Sequence, residues 1–149
     1  MPGEASAQGL LMRTNEHMIE DFRPVGDMLA LVGDKWSTIV LGRLRDGAMR
    51  FNELTRDIGG ISQKTLSGKL HALERDGLVR RTLYPTIPPR VDYELTALGL
   101  KLLDSLEDLI EFALMHQFQV ERARRRFDEG LGREPVNRIA DISAQADRH

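Results

Sequence analysis

The sequence predicts a mainly helical chain with one small β-hairpin and a long C-terminal helix. In four successive segments between Val25 and Leu73 the apolar residues return every three or four positions, the period of a helix with one buried face. From Leu78 to Leu95 the period changes to strand-like runs on either side of a proline-rich centre, the pattern of two paired strands. The helical period resumes at Ala97 and lasts about 30 residues.

Residues 1–23 are read as an N-terminal arm, in which Leu11, Met18, Ile19 and Phe22 fit one apolar helical stripe. Asp21-Phe22-Arg23-Pro24 is expected to end that segment, because the residue before a proline avoids the α region. Val25, Leu29 and Val32 then mark a short helix stopped by Gly33, and Trp36, Ile39, Val40 and Leu44 a second, closed by Asp46-Gly47. A third runs from about Phe51 to Ile58, with Phe51, Leu54 and Ile58 on one face and Gly59-Gly60 after it. Ser62 is a favourable N-cap for a fourth helix, in which Leu66, Leu70 and Leu73 follow at i, i+4 and i+7 until Asp76-Gly77.

Leu78–Tyr84 and Val91–Leu95 read as strands. The three prolines of the connecting segment, Pro85 to Arg90, make a stiff tip that no central strand tolerates. Thr96 caps the long helix, which has two apolar stripes: Leu102, Leu106, Leu109, Ala113 and Val120 on one, Leu103, Ile110 and Leu114 on the other. A helix apolar on two sides must be covered from two sides. One cover is its own domain and the other is expected to be a second copy, with Leu102, Leu106, Leu109, Ala113, Leu114 and Val120 at the dimer interface. After Phe127 the composition turns polar; Val136, Ile139 and Ile142 support at most a weak last turn, and the tail from Ser143 is expected to fray.

In this order, three short helices, a glycine turn, a capped fourth helix and a hairpin make a winged helix-turn-helix. The division is an arm over 1–23, the winged module over 24–96, a dimerisation helix over 97–127 and a polar tail over 128–149.

Composition narrows the function. Of 149 residues, 41% are hydrophobic and 30% charged, enough for a globular core; aromatics, at 5%, are too few for a base-stacking platform. Without cysteine there is no disulfide, thiolate metal site or thiol switch. No apolar run nears membrane-spanning length and Met1 to Gln8 do not resemble a signal peptide, so a soluble cytoplasmic protein is expected. The net charge of −2 hides an asymmetry: Lys35 to Lys101 holds 12 Lys/Arg against 7 Asp/Glu, and the rest of the chain 9 against 16. That suits a DNA-binding module on an acidic scaffold, and chance scatter of surface charge explains it equally well.

The fourth helix decides between them. With its leucines turned inward, Lys64, Gly68, His71 and Arg75 lie opposite, flanked by Thr65 and Ser67, with no acidic residue before Glu74. A mid-helix glycine costs about 1 kcal/mol against alanine. Close approach of the backbone to a groove wall is one reason for it, and a tolerated surface defect is the other. Gln63 and Lys64 suit adenine and guanine edges; Ser62 and Ser67 suit phosphate or mixed contacts. His71 is a phosphate contact or an ordinary exposed histidine. Arg80, Arg81 and Arg90 on the hairpin and Arg50 before the third helix suit phosphates or a narrow groove. Singly each fits a solvated role as well; together on one module they favour DNA.

Val32-Gly33-Asp34-Lys35-Trp36, Arg50-Phe51-Asn52-Glu53-Leu54, Ile61-Ser62-Gln63-Lys64-Thr65-Leu66, Leu73-Glu74-Arg75-Asp76-Gly77-Leu78-Val79 and Pro88-Pro89-Arg90-Val91-Asp92-Tyr93-Glu94-Leu95-Thr96 resemble the successive motifs of the HxlR-type transcriptional regulators. The resemblance spans roughly Pro24 to Gly99 and implies a bacterial dimeric winged-helix protein that binds double-stranded DNA as repressor or activator. Many members carry a cysteine just before the Pro-Val pair, and some sense oxidants through it; here Arg23 stands there.

No catalytic motif is present, and His17, His71, His116 and His149 are scattered, so neither an enzyme nor a metal or cofactor site is expected. Trp36, Phe112 and Phe118 are candidates for a pocket that takes a small hydrophobic effector, although such aromatics are more often plain core. The competing function is a winged-helix protein-interaction module that docks on an acidic partner without binding DNA.

Overall fold

The computed structural model describes residues 6–12 and 18–131. The side chains of Leu11, Met18 and Ile19, the region of His17, and the tail with Val136, Ile139, Ile142 and His149 lie outside the described residues. Helices α1 (Ala7–Met12), α2 (Met18–Val32) and α3 (Lys35–Arg43) lead into strand β1 (Met49–Arg50). Helices α4 (Phe51–Ile58) and α5 (Gln63–Arg75), strands β2 (Val79–Tyr84) and β3 (Arg90–Leu95), and helix α6 (Ala97–Asp128) follow. The chain forms two compact units, Met1–Glu107 and Asp108–His149. Among the described residues no helix is long and apolar enough to cross a membrane.

The first unit is built around α5. Leu66, Leu70 and Leu73 have no exposed surface, and Val40, Leu41, Leu44, Leu54, Ile61 and Leu78 close around them. Burying a leucine contributes about 2 kcal/mol, so this cluster is the main apolar hold on the unit. Tyr93 of β3 completes it, its ring 6.5 Å from that of Phe51.

Two expectations need correction and one is extended. Arg23-Pro24 does not end a helix: α2 runs through Pro24. The lost N–H bond and ring clash cost about 3 kcal/mol, and the helix nevertheless continues on both sides of Pro24 before Leu31 and Val32 at its end pack on the core. The expected hairpin of β2 and β3 is present, and β1 extends it to a three-stranded sheet in the order β1-β3-β2, with Met49 opposite Tyr93 and Arg50 opposite Asp92. A two-residue strand is too short to show alternation in sequence. Finally, Leu106 is only 5% exposed within the single chain and Leu102 packs against the same cluster. They serve the domain's own core, because the first turns of α6 belong to the first unit.

Two joints set the geometry. Asp34 caps α3, accepting from Trp36 N at 3.4 Å and from the buried Ser37 hydroxyl at 3.0 Å, while Lys69 Nζ of α5 reaches its carboxylate at 2.7 Å. Partial burial pushes the Asp34 pKa up, but the hydrogen bonds from Lys69 and Ser37 and the lysine's charge prevail, so it lies below the usual carboxylate value. At the other joint, Thr96 Oγ1 donates to Gly77 O at 2.6 Å and accepts from Gly99 N at 3.0 Å, and Thr96 N donates to Leu78 O at 3.1 Å. A side chain at Gly99 would place its Cβ in collision with the Leu78 carbonyl oxygen.

Two outcomes are expected. Gly99→Ala loses about 2–3 kcal/mol of stability, because backbone must move to admit the methyl; an unchanged melting temperature would show the joint to be loose. Asp34 titrates lower when folded, so its contribution is complete above the unfolded pKa of about 3.9 and disappears as pH falls through the folded value. Lys69→Met is thus destabilised by about 1 kcal/mol at pH 7, and its gap to the native protein narrows as pH falls below about 3.9. Denaturant titrations on either side of that pH would refute this if the gap were constant.

Candidate nucleic-acid interface

Gly59 and Gly60, at φ +65° and +69°, turn the chain sharply after α4, and Ile61 buries itself between the helices they join. Ser62 then starts α5: its Oγ accepts from Thr65 N at 3.0 Å and donates to Thr65 Oγ1 at 2.8 Å. Its hydroxyl is therefore occupied in capping, and Thr65 is half-buried beside it.

With the leucines fixed inward, Gln63, Lys64, Ser67, Gly68, His71 and Arg75 are exposed on the other side of α5. The first turn holds no acid. A Cβ on Gly68 would meet no atom within 4 Å, so nothing inside the molecule demands a glycine there. Lys64 and Arg75 have no ion-pair partner among the described residues, whereas Lys69 is held by Asp34.

The wing is less cationic than its sequence suggests. Arg80 stands opposite Glu94 and donates to its carboxylate at 3.0 Å. Arg90 makes a two-pronged contact with Asp92, both bonds 3.0 Å, and its guanidinium lies 4.4 Å from the centre of the Tyr84 ring. The hydrogen bond to Asp92 pushes the Arg90 pKa still higher. Arg81 points to the opposite sheet face from Arg80, because strand side chains alternate, and has no ion-pair partner among the described residues. The three wing arginines thus do not share a face.

What the structure brings together is a groove of about 770 Å³ between α4, α5 and the hairpin tip. Arg50, Arg56, Ser67, Ile87 and Arg90 line it, over a floor that includes Phe51 and Tyr93. Arg50 and Glu53 meet through the Arg50 backbone N–H, which donates to the Glu53 carboxylate at 3.2 Å and leaves the guanidinium without an ion-pair partner among the described residues. Sequence reasoning missed Arg56, Ile87 and the carboxylates Asp92 and Glu94. The hairpin register would have revealed the pairing of Arg80 with Glu94; the groove needs three elements in place before it exists.

Of the other candidates, Trp36 packs on the core of the first unit with Lys35 Nζ 4.7 Å from its ring centre. In the second unit, the Phe112 and His116 rings lie 4.6 Å apart and tilted by 44°, and both line an apolar recess of about 390 Å³ with Val120. Leu109, Phe112, Leu114, Met115 and Phe118 are all more than half exposed, Val120 is 42% exposed, and Ala113 is exposed too.

Comparison with known proteins matches this geometry. The HxlR-like helix-turn-helix family profile matches residues 31–121. An HTH-type transcriptional regulator of Halalkalibacterium halodurans, BH0655, is 46% identical over 95 residues, which are 63% of this chain and 84% of that one. The structure of the transcriptional regulator YtfH from Salmonella typhimurium superposes with a TM-score of 0.60 at 40% identity, covering 69% of this chain and 92% of the other. That of the redox regulator HypR in its reduced form gives 0.61 at 35%, covering 66% and 98%. The chain has a winged helix-turn-helix and the family profile spans most of it, so it belongs to the HxlR-like helix-turn-helix family of transcriptional regulators.

Proposed function

We propose that the chain is a sequence-specific DNA-binding transcriptional regulator that works as a homodimer on a pseudo-palindromic operator and is not controlled through cysteine. The exposed face of α5 carries this reading: polar and cationic side chains, no carboxylate before Glu74, and open space above Gly68. Two copies of α5 would enter successive major grooves about 34 Å apart. Gln63 and Lys64 suit base edges, while Ser67, His71 and the N-terminal turn of α5 suit phosphates. Arg50 and Arg81 are ready for phosphate oxygens. Arg80 reaches them by exchanging a surface carboxylate, a contact worth at most about 1 kcal/mol, and Arg90 by giving up its two-pronged contact with the largely buried Asp92.

The second copy is argued from α6. Beyond Glu107 its leucines and phenylalanines are exposed in the single chain, and an apolar helix surface of that extent calls for a partner. Leu109, Ala113, Leu114 and Val120 are the residues proposed for it. The sequence contains no thiol, so whatever signal the regulator answers differs in kind from cysteine oxidation.

Duplexes selected from a random library by the purified chain should converge on a pseudo-palindrome bound by two chains. Enrichment of nothing in dilute buffer would overturn the reading. Gly68→Ala is expected to stabilise the free protein by about 1 kcal/mol and to weaken the selected duplex roughly tenfold; unchanged affinity would remove Gly68 from the interface. Glu94→Gln releases Arg80, so binding tightens and its salt dependence steepens by about one unit. An unaltered slope would place Arg80 away from phosphate.

A further inference from the structure

We infer that Ile87 is an apolar wedge that enters the minor groove of the duplex read by α5 and opens a base step, so that the DNA bends. This rests on the DNA-binding function proposed above. Ile87 is 102% exposed, so its branched side chain holds nothing in the fold. Its backbone setting is nevertheless stiff. Prolines stand at 85, 88 and 89; Thr86 N donates to Tyr84 O and Thr86 Oγ1 to Pro88 O, both at 2.8 Å. A side chain presented on a rigid tip loses little freedom when it binds.

Its neighbours say where it goes. Ile87 lines the same groove as Ser67 of α5, Arg50 and Arg90, so the tip borders the face proposed to meet DNA. Arg90 stands three residues away, held against Tyr84 and Asp92. Arg50 in that groove and Arg81 on the hairpin, neither with an ion-pair partner among the described residues, suit a polyanion better than an apolar protein groove. Isoleucine has no hydrogen bond to offer a base. It displaces water from sugar edges and separates stacked pairs, as apolar wedges do in proteins that kink DNA.

The test uses the full chain and duplexes selected from a random library, labelled at both ends for energy transfer, with 2-aminopurine at steps flanking the α5 footprint. The native chain should shorten the end-to-end distance and brighten one 2-aminopurine. Ile87→Ser should lose both signals and about tenfold in affinity, while keeping its melting temperature, its major-groove footprint and its salt slope. Ile87→Leu should restore the bend. Native bending and affinity in Ile87→Ser would overturn the wedge and leave DNA binding standing, and so would a lowered melting temperature, which would assign Ile87 to the fold. Failure of the native chain to select any duplex would instead overturn the DNA-binding reading, and the wedge with it.

Discussion

Leu66, Leu70 and Leu73 lie along one side of α5 with no exposed surface, and the walls that enclose them come from α3, α4 and the start of the wing. Rotation of α5 about its axis is thereby fixed. With a turn of 100° per residue, committing three leucines to the core commits Lys64, Gly68 and His71 to solvent. Rolling the helix by one position would expose a leucine and bury a lysine, at several kcal/mol on each count. The presentation of the polar face is a consequence of apolar packing, with no polar contact needed to enforce it.

Electrostatics then refine what packing has placed. Asp34 ties the start of α3 to Lys69 on α5 and keeps that cation off the presented face. On the wing, Glu94 and Asp92 hold Arg80 and Arg90 in defined positions, and Tyr84 supports Arg90 from below. The exposed pair of Arg80 and Glu94 adds little stability. Both pairs reduce the attraction of the wing for any polyanion and leave the arginines oriented for a partner that competes for them. The formal excess of basic residues between Lys35 and Lys101 therefore overstates the field at the hairpin.

Much of this was legible in the sequence where one local rule acted alone. The Ser62 cap, the leucine period, the double glycine and the proline-rich tip each have a single physical cause, and the helix and hairpin they announce are present. Legibility failed where distant residues compete. Pro24 lies inside a helix that the local rule for the residue before a proline would end. Leu106 shares its stripe with Leu109, yet one is buried and the other exposed, because the first unit covers α6 only as far as Glu107. The groove around Arg50, Arg56 and Ile87 was invisible for the same reason, since its walls lie up to some 40 positions apart in the chain.

The Thr96 joint makes the end of the hairpin and the start of α6 one piece of structure. Threonine and glycine clip the first turn of α6 to the carbonyls of Gly77 and Leu78, in a space too tight for a methyl group. A substitution at either residue therefore disturbs the root of the wing and the root of the long helix together.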